Sequence, residues 1–335
     1  MSIENTLLLT GVTGMIGQTL LRTALKKKQF NKIILPVRSI AKAQKICSDL
    51  RDSDSYKINF VQTRIEDCCL EQFPMNLDSI IHCACVTQSK EMIIHPVETA
   101  DSIVIGTKNI LEIARKKQVQ SMIYLSSMEV YGELEDMGIP VREEQLGSIN
   151  LQRVRSCYPL GKRMAEHYCY IYYREYGVPV KIARLAQTFG RGVFSADNRV
   201  YAQFTRSVLE GKDIILKTPG NSMGNYCALD DTVNGIFTIL EKGQNGEVYN
   251  VVNEENTMRI REMARLVADQ VAGGKIQVRI VPENPDINGY APDTGLRLSG
   301  EKLRNLGWKP RKDLVEMYRE MLSEWKGKPQ NCSYE

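Results

Sequence analysis

No apolar stretch in this sequence reaches the ~18 residues that a membrane-spanning helix requires. No block of like charge appears either: 44 Lys and Arg stand against 40 Asp and Glu, for a net charge of +4. Membrane and nucleic-acid partners are therefore not expected. The N-terminus carries Glu4 where a signal peptide needs positive charge, so no leader is expected. Nine cysteines include no C-x-x-C pair, and the adjacent Cys68-Cys69 lacks metal-ligand spacing. His95 and His167 have no partners at motif spacing and His82 reads as a packed strand residue, so no metal is expected. The thiols read as reduced, in a cytoplasmic protein. No repeat, low-complexity segment or Pro/Gly/Ser-rich linker divides the 335 residues, which at ~150 residues per domain amount to about two domains. With 43% hydrophobic and 25% charged residues, the composition excludes disordered, collagenous and disulfide-scaffold classes.

What is present is alternation. Short apolar runs at Thr6–Leu9, Lys32–Val37, Ile58–Val61, Ser79–Cys83, Met122–Leu125 and Val180–Leu185 read as strands. Amphipathic stretches at Met15–Lys28, Ile40–Leu50, Val97–Lys117 and Tyr158–Tyr176 read as helices between them. The strands are apolar without alternation, as in a parallel sheet covered on both faces. The expected fold is α/β, a Rossmann-like doubly wound parallel sheet with a smaller C-terminal substrate lobe. Residues 1–186 are assigned to the dinucleotide-binding domain, with segments near 225–252 returning to it, and 187–335 mainly to the substrate lobe. Helices are expected in that second part at Val200–Leu209, Asp231–Leu240, Arg259–Gln270, Glu301–Leu306 and Leu314–Trp325, with a strand at Val248–Val252.

The sharpest local motif is Gly11-Val12-Thr13-Gly14-Met15-Ile16-Gly17, directly after the first strand and opening the first helix. Glycines there permit a tight turn, close approach of backbone to a pyrophosphate, and helix-on-strand packing. The free N–H groups of the helix N-terminus then face the phosphates. At the end of the second strand an acid would favour NAD and an Arg would receive a 2′-phosphate. This chain has Arg38, with Lys42 four residues on, and no Asp or Glu from 32 to 48. The cofactor is NADP or NAD, with NADP favoured. Tyr158 and Lys162 share a helix face, so the ammonium is expected to stabilise a phenolate and fit Tyr158 for acid/base work. Ser126 and Ser127 end the fifth strand, where a parallel sheet presents ligands and a hydroxyl can steady the substrate oxygen.

T-G-x-x-G-x-x-G, S-S-x-x-V-Y-G and Y-x-x-x-K, in that order, resemble the extended short-chain dehydrogenase/reductases, and more narrowly the nucleotide-sugar epimerase/dehydratase family. His82-x-Ala84, Gly106-Thr107-x-Asn109, Arg184-Leu185, Phe189-Gly190 and Leu306-Gly307-Trp308-x-Pro310 extend the resemblance over nearly the whole chain. Ser127-Met128-Glu129-Val130-Tyr131-Gly132, Arg155-Ser156-Cys157-Tyr158, Gly161-Lys162-Arg163 and Asp197-Asn198-Arg199-Val200 are similar to the UDP-glucuronate decarboxylases. The resemblance implies catalytic roles for Ser127, Glu129, Tyr158 and Lys162. It implies a dinucleotide lined by Gly11, Thr13, Gly14, Met15, Ile16, Gly17, Arg38, Lys42, Ile65, Cys83, Ala84, Tyr158 and Lys162, a nucleotide-sugar-like substrate touched by Ser127, Gln187, Arg199 and Arg297, and a homodimer built by the helices near 97–117 and 158–176. Tyr172 and Tyr173 are expected to be covered in that dimer.

Departures from the family pattern are as informative. Met128 replaces the Asp of dehydratases, Gln187 and Ile103 replace expected Asn residues, and Arg64 stands where an Asp would bind adenine. The stretch Gly220–Tyr226 lacks the Arg that clamps the nucleotide phosphate, for which Arg199 or Arg297 is the expected replacement. The implied reaction is hydride transfer at a sugar ring carbon through a keto intermediate, of epimerase, dehydratase or decarboxylase type. Alternatives are an NADPH-dependent reductase of a nucleotide-linked keto sugar and, from another class, a non-catalytic dinucleotide sensor.

Overall fold

A computed structural model describes residues 5–48, 57–134, 138–282 and 295–327. Seven strands form one all-parallel sheet: β1 (Thr6–Thr10), β2 (Lys32–Val37), β3 (Lys57–Gln62), β4 (Ser79–His82), β5 (Ser121–Ser127), β6 (Val180–Leu185) and β10 (Val248–Val251). Their order is β10-β6-β5-β4-β1-β2-β3, so the direction of winding reverses between β1 and β4. That switch point opens the crevice in which doubly wound sheets take their ligands.

The apolar runs are buried on both sides for a visible reason. In β1, Leu7 and Leu9 enter the core under α1 (Met15–Lys27) and α7 (Leu229–Lys242), and Leu8 enters the opposite core under α4 (Pro96–Lys117) and α5 (Cys157–Tyr176). Pro36, in β2, lies beyond the last residue that β2 pairs with β1, so its missing N–H breaks no bond on that side. α2 spans Ile40–Cys47, started by Ser39, whose hydroxyl accepts the Lys42 N–H at 3.3 Å. It ends earlier than the pattern suggests, and Leu50 lies outside the described residues. A short helix, α3 (Ser89–Ile94), precedes α4 and has no clear signal in the sequence.

A buried anchor crosses the sheet's other half. Arg184 of β6 holds Glu166 of α5 at 2.7 Å and the Glu143 carbonyl at 2.6 Å, under the Tyr131 ring. Tyr131 donates to Asn250 of β10 at 2.7 Å. Breaking one partner of so buried a pair costs about 3–5 kcal/mol, because an uncompensated charge remains.

The remaining chain forms a smaller lobe. A sheet of β7 (Gln187–Phe189), β9 (Met223–Ala228) and β11 (Asn253–Arg259) carries α6 (Val200–Glu210), α8 (Ile260–Leu266) and the helix Leu314–Lys326. Two further strands, β8 (Ile214–Leu216) and β12 (Val278–Ile280), pair in parallel beside it. Phe189 stacks on Tyr201 at 4.5 Å in the lobe's core. The chain then returns to the large sheet through Trp308, whose indole N–H donates to the Asp231 carbonyl at 3.0 Å.

Tyr172 departs from expectation: it is buried within its own chain, edge-on to Tyr168 and Tyr176. Tyr173 packs on Gly246, where a Cβ would lie 2.3 Å from its ring. Tyr172 is covered within the chain, and Tyr173 stays half-buried. Among the described residues no helix is long and apolar enough to cross a membrane.

Candidate active site

The glycine turn is cut to backbone dimensions. Gly11 has φ +75°, and a Cβ there would lie 2.8 Å from the Ala84 nitrogen and 2.9 Å from the Cys83 carbonyl carbon. At Gly17 a Cβ would come within 2.1 Å of the Gly11 oxygen. Gly14 is the N-cap of α1 and gives no side-chain cap, and the first turn of that helix holds no acid. Unspent N–H groups therefore face outward, as an anion site requires. Thr13, Met15 and Ile16 surround the turn at intermediate exposure. This cradle fits a dinucleotide pyrophosphate.

The rim of the crevice follows from one helix. On α4, Gly106 lets Ile65 approach to where a Cβ would lie 2.6 Å from its methyl. Asn109 holds the Glu66 carbonyl at 2.7 Å, and Thr107 meets His82 at 3.2 Å. Cys83 and Ala84 both donate backbone N–H to Thr10 Oγ1 at 3.0 Å. These contacts bring Ile65, Cys83 and Ala84 to the carboxyl edge beside the glycine turn. Arg38 and Lys42 lie exposed at the end of β2 and the start of α2. Arg64 is exposed and pairs with Glu66.

Tyr158, Lys162 and Ser127 do come together. Ser127 ends β5, and Tyr158 and Lys162 lie one turn apart near the start of α5, both buried. Lys162 Nζ donates to the Leu125 carbonyl at 2.7 Å and lies 5.8 Å from the Tyr158 ring centre. The Ser127 hydroxyl accepts the Glu129 N–H at 3.3 Å, and its proximity lowers the Tyr158 phenol. The net direction on Tyr158 corrects the sequence expectation. Burial pushes the phenol upward, Cys85 and Glu129 add to that, and Lys162 and Ser127 pull it down without prevailing. Burial alone would lower the Lys162 ammonium, but Cys85 and Tyr158 outweigh it, so it stays charged. Lys162 acts in the expected sense; the low-dielectric site is the larger effect.

Glu129 lies in the 3₁₀ turn that follows Ser127, and its carboxylate is engaged by Arg155 in a two-pronged pair at 2.6 and 2.8 Å. Sequence reasoning quoted Arg155 without giving it a role. The signal available was an arginine three residues before Tyr158. Arg199 is likewise engaged, by Asp197 at 3.0 Å, and Tyr158 helps to hold it charged. Gln187 is exposed at the start of β7, and Arg297 is exposed on a segment whose carbonyl receives the Val141 N–H at 2.7 Å. The lost phosphate clamp has a steric counterpart. A Cβ on Gly224 would lie 2.2 Å from the Tyr226 hydroxyl, so the tyrosine fills that face of β9. Among the described residues no three His, Cys, Asp or Glu side chains gather to hold a metal.

Comparison with known proteins agrees with this geometry. Residues 7–252 match the model of the NAD dependent epimerase/dehydratase family. UDP-glucuronic acid decarboxylase 6 of Arabidopsis thaliana is 32% identical over 244 residues, covering 72% of this chain and 68% of that protein. UDP-glucuronic acid decarboxylase 1 of Danio rerio is 31% identical over 72% of this chain and 55% of its own. In fold, the chain resembles UDP-glucuronic acid 4-epimerase from Bacillus cereus, solved with UDP-glucuronic acid and NAD (TM-score 0.79, 20% identity, 96% of this chain and 99% of that one). A glycine cradle at the switch point, a buried Tyr-Lys pair facing a strand-end serine, and a family match over most of the chain lead to one assignment: the chain belongs to the NAD-dependent epimerase/dehydratase family, an extended short-chain dehydrogenase/reductase enzyme that works through a nicotinamide dinucleotide.

Proposed function

We propose that the protein oxidises an acidic, nucleotide-linked sugar at a ring carbon and returns the hydride within the same turnover, as an epimerase or decarboxylase does. The observation that carries this reading is the Ser127–Tyr158–Lys162 cluster at the carboxyl edge, opposite the glycine cradle. The bound dinucleotide supplies the hydride acceptor. Tyr158 takes the hydroxyl proton as the ring carbon is oxidised and returns it when the ketone is reduced. Lys162 opposes the effect of burial on the phenol, and Ser127 orients the oxygen. Gly11, Thr13, Gly14, Met15, Ile16, Gly17, Ile65, Cys83 and Ala84 would hold the dinucleotide, and Gln187, Arg199 and Arg297 the substrate. Elimination of water is disfavoured. Met128 supplies no acid where dehydratases carry an Asp.

The acidic substituent is proposed from the relatives that act on UDP-glucuronic acid. Arg38 and Lys42 support a dinucleotide with a 2′-phosphate. They also support a second reading, net reduction of a keto sugar by NADPH. Exposed Val97, Ile105 and Met164 on α4 and α5 support a homodimer through those helices, and unpaired thiols among the described residues suit a cytoplasmic setting. Incubation with UDP-glucuronate and either dinucleotide, with products resolved by chromatography and then weighed by mass spectrometry, tests the reading. Loss of carbon dioxide, or an isomer of equal mass, supports it. Stoichiometric consumption of NADPH by a keto sugar favours the reductase, and no turnover of any sugar nucleotide sinks both.

A further inference from the structure

Three cations, Lys162 and Arg163 on α5 and Arg155 in the turn before it, reach across to the strand and turn that carry Ser127. Lys162 bonds the Leu125 carbonyl at 2.7 Å. Arg163 bonds the Val130 carbonyl at 2.7 Å and the Gly147 carbonyl at 2.6 Å. These bonds to backbone already fix the spacing between Ser127 and Tyr158. The third cation, Arg155, bonds no backbone. It closes both prongs on Glu129, with the two side chains 37% and 33% exposed. Among the described residues no other hydrogen bond or ion pair to either side chain is present. An ion pair at that exposure contributes little to stability.

Its position is more informative than its strength. Glu129 follows Ser127 by two residues, and Arg155 precedes Tyr158 by three. The two charges bear on Tyr158 directly, with Glu129 raising the phenol and the phenol helping to hold Arg155 charged. A planar guanidinium fork, open to the crevice beside the proton-transferring phenol, matches a carboxylate in geometry and charge. Here the fork is filled by a carboxylate of the chain itself. We propose that Arg155 receives the acidic group of the substrate, and that Glu129 occupies its fork as an internal stand-in until the substrate displaces it. The inference rests on the acidic-sugar reading above. Exchange trades one two-pronged pair for another, so it opposes binding only weakly. It also frees both oxygens of Glu129 beside Ser127 and the sugar hydroxyls. A neutral sugar brings nothing to trade, finds the fork closed, and leaves Glu129 engaged.

The test is calorimetric titration of the NAD-loaded full chain in a Tyr158→Phe background, so that no turnover intrudes. UDP-glucuronate and UDP-glucose are the probes. The parental protein should prefer UDP-glucuronate only a few-fold, because the incoming carboxylate must first displace Glu129, and the rest of the pair's worth shows when that competitor is removed. Arg155→Met should abolish the preference while UDP-glucose affinity stays. Arg155→Lys, which keeps the charge and loses the fork, should retain part of it and decides the matter if the Met variant does not fold. Glu129→Gln should tighten UDP-glucuronate several-fold, because no internal carboxylate competes, and leave UDP-glucose alone. A preference that survives in Arg155→Met and Arg155→Lys, or UDP-glucuronate weakened by Glu129→Gln, overturns the exchange and leaves the acidic-sugar reading standing. A parental protein that binds NAD but neither sugar nucleotide overturns both.

Discussion

Gly17→Ala adds one methyl group where the first turn of α1 meets the glycine loop. Its Cβ would lie 2.1 Å from the Gly11 oxygen, 2.7 Å from the Gly11 carbonyl carbon and 2.8 Å from the Val12 Cα. All three are backbone atoms, so no flexible side-chain end can yield. Gly11 cannot retreat either, because its other face lies against Cys83 and Ala84. The helix and loop must part by about 1 Å, an overpacking strain on the order of 1–3 kcal/mol. For a chain of this size that lowers the melting temperature by roughly 1–5 °C. Cofactor binding should suffer far more. A shift of about 1 Å takes hydrogen bonds from the loop to a pyrophosphate out of range, and two such charge-assisted bonds, at roughly 1.5–3 kcal/mol each, amount to at least a hundredfold in affinity. Gly14→Ala is the control. Its Cβ would meet the Gly11 oxygen at 3.5 Å, an ordinary contact, and the backbone there has φ −85°, so the melting temperature should not move. Calorimetric titration with NAD and NADP, beside thermal unfolding, reads both effects. Wild-type affinity in Gly17→Ala would refute the reasoning and remove the turn from the cofactor site.

Tyr158→Phe should keep the fold and the cofactor and lose ~10²–10⁴-fold in turnover, measured with UDP-glucuronate in single-turnover assays; full activity would end the mechanism. Arg38→Asp should weaken NADP about ten- to a hundredfold more than NAD, since a guanidinium–phosphate bond is lost; equal weakening of both would leave Arg38 without a part in the choice. His82 is fully buried and held neutral, with its pKa lowered by burial from 6.5 to about 3. Between those values the unfolded chain binds a proton that the folded chain does not, so this contribution is complete above pH 6.5 and declines as the pH falls toward 3. Urea midpoints should therefore drop from pH 7 to pH 4, and less steeply in His82→Asn; parallel curves would contradict it.

How much of this was legible depends on how far apart the interacting residues lie in the chain. The central strands were readable because burial on both faces makes K-I-I-L-P-V and its kin apolar throughout, a local signature. The cradle was readable because three glycines within seven residues meet one another. The small lobe's helices were readable too, at Val200–Glu210 and Leu314–Lys326 for example, but its strands were not. β11 runs N-E-E-N-T-M-R, polar along its length, and becomes a strand only because Asn253 finds Tyr226 and Arg259 finds Met223. The net direction on Tyr158 was hidden for the same reason: Cys85 comes from the loop after β4, Glu129 from the turn after β5, and burial from the packed whole. Arg155 and Glu129 stand 26 residues apart, and only the folded chain joins the two charges in one pair.

Motifs that look separate in the sequence are parts of one hydrogen-bonded chain, and its chemistry fixes the proton positions. Thr10 Oγ1 accepts two backbone N–H groups, from Cys83 and Ala84, at 3.0 Å each. A hydroxyl has two lone pairs and one proton, so the proton of Thr10 goes to His82 Nδ1, 2.9 Å away. That nitrogen is thereby the acceptor, and the neutral ring carries its proton on Nε2, aimed at Thr107 Oγ1 at 3.2 Å. A second ring proton would strip Thr10 of its acceptor and loosen the two N–H groups that hold Cys83 and Ala84 against Gly11. The threonine before the glycine turn, the histidine at the end of β4 and the threonine of G-T-x-N thus serve one purpose. They hold the edge of β4 rigidly against a glycine that can approach it only because it has no side chain.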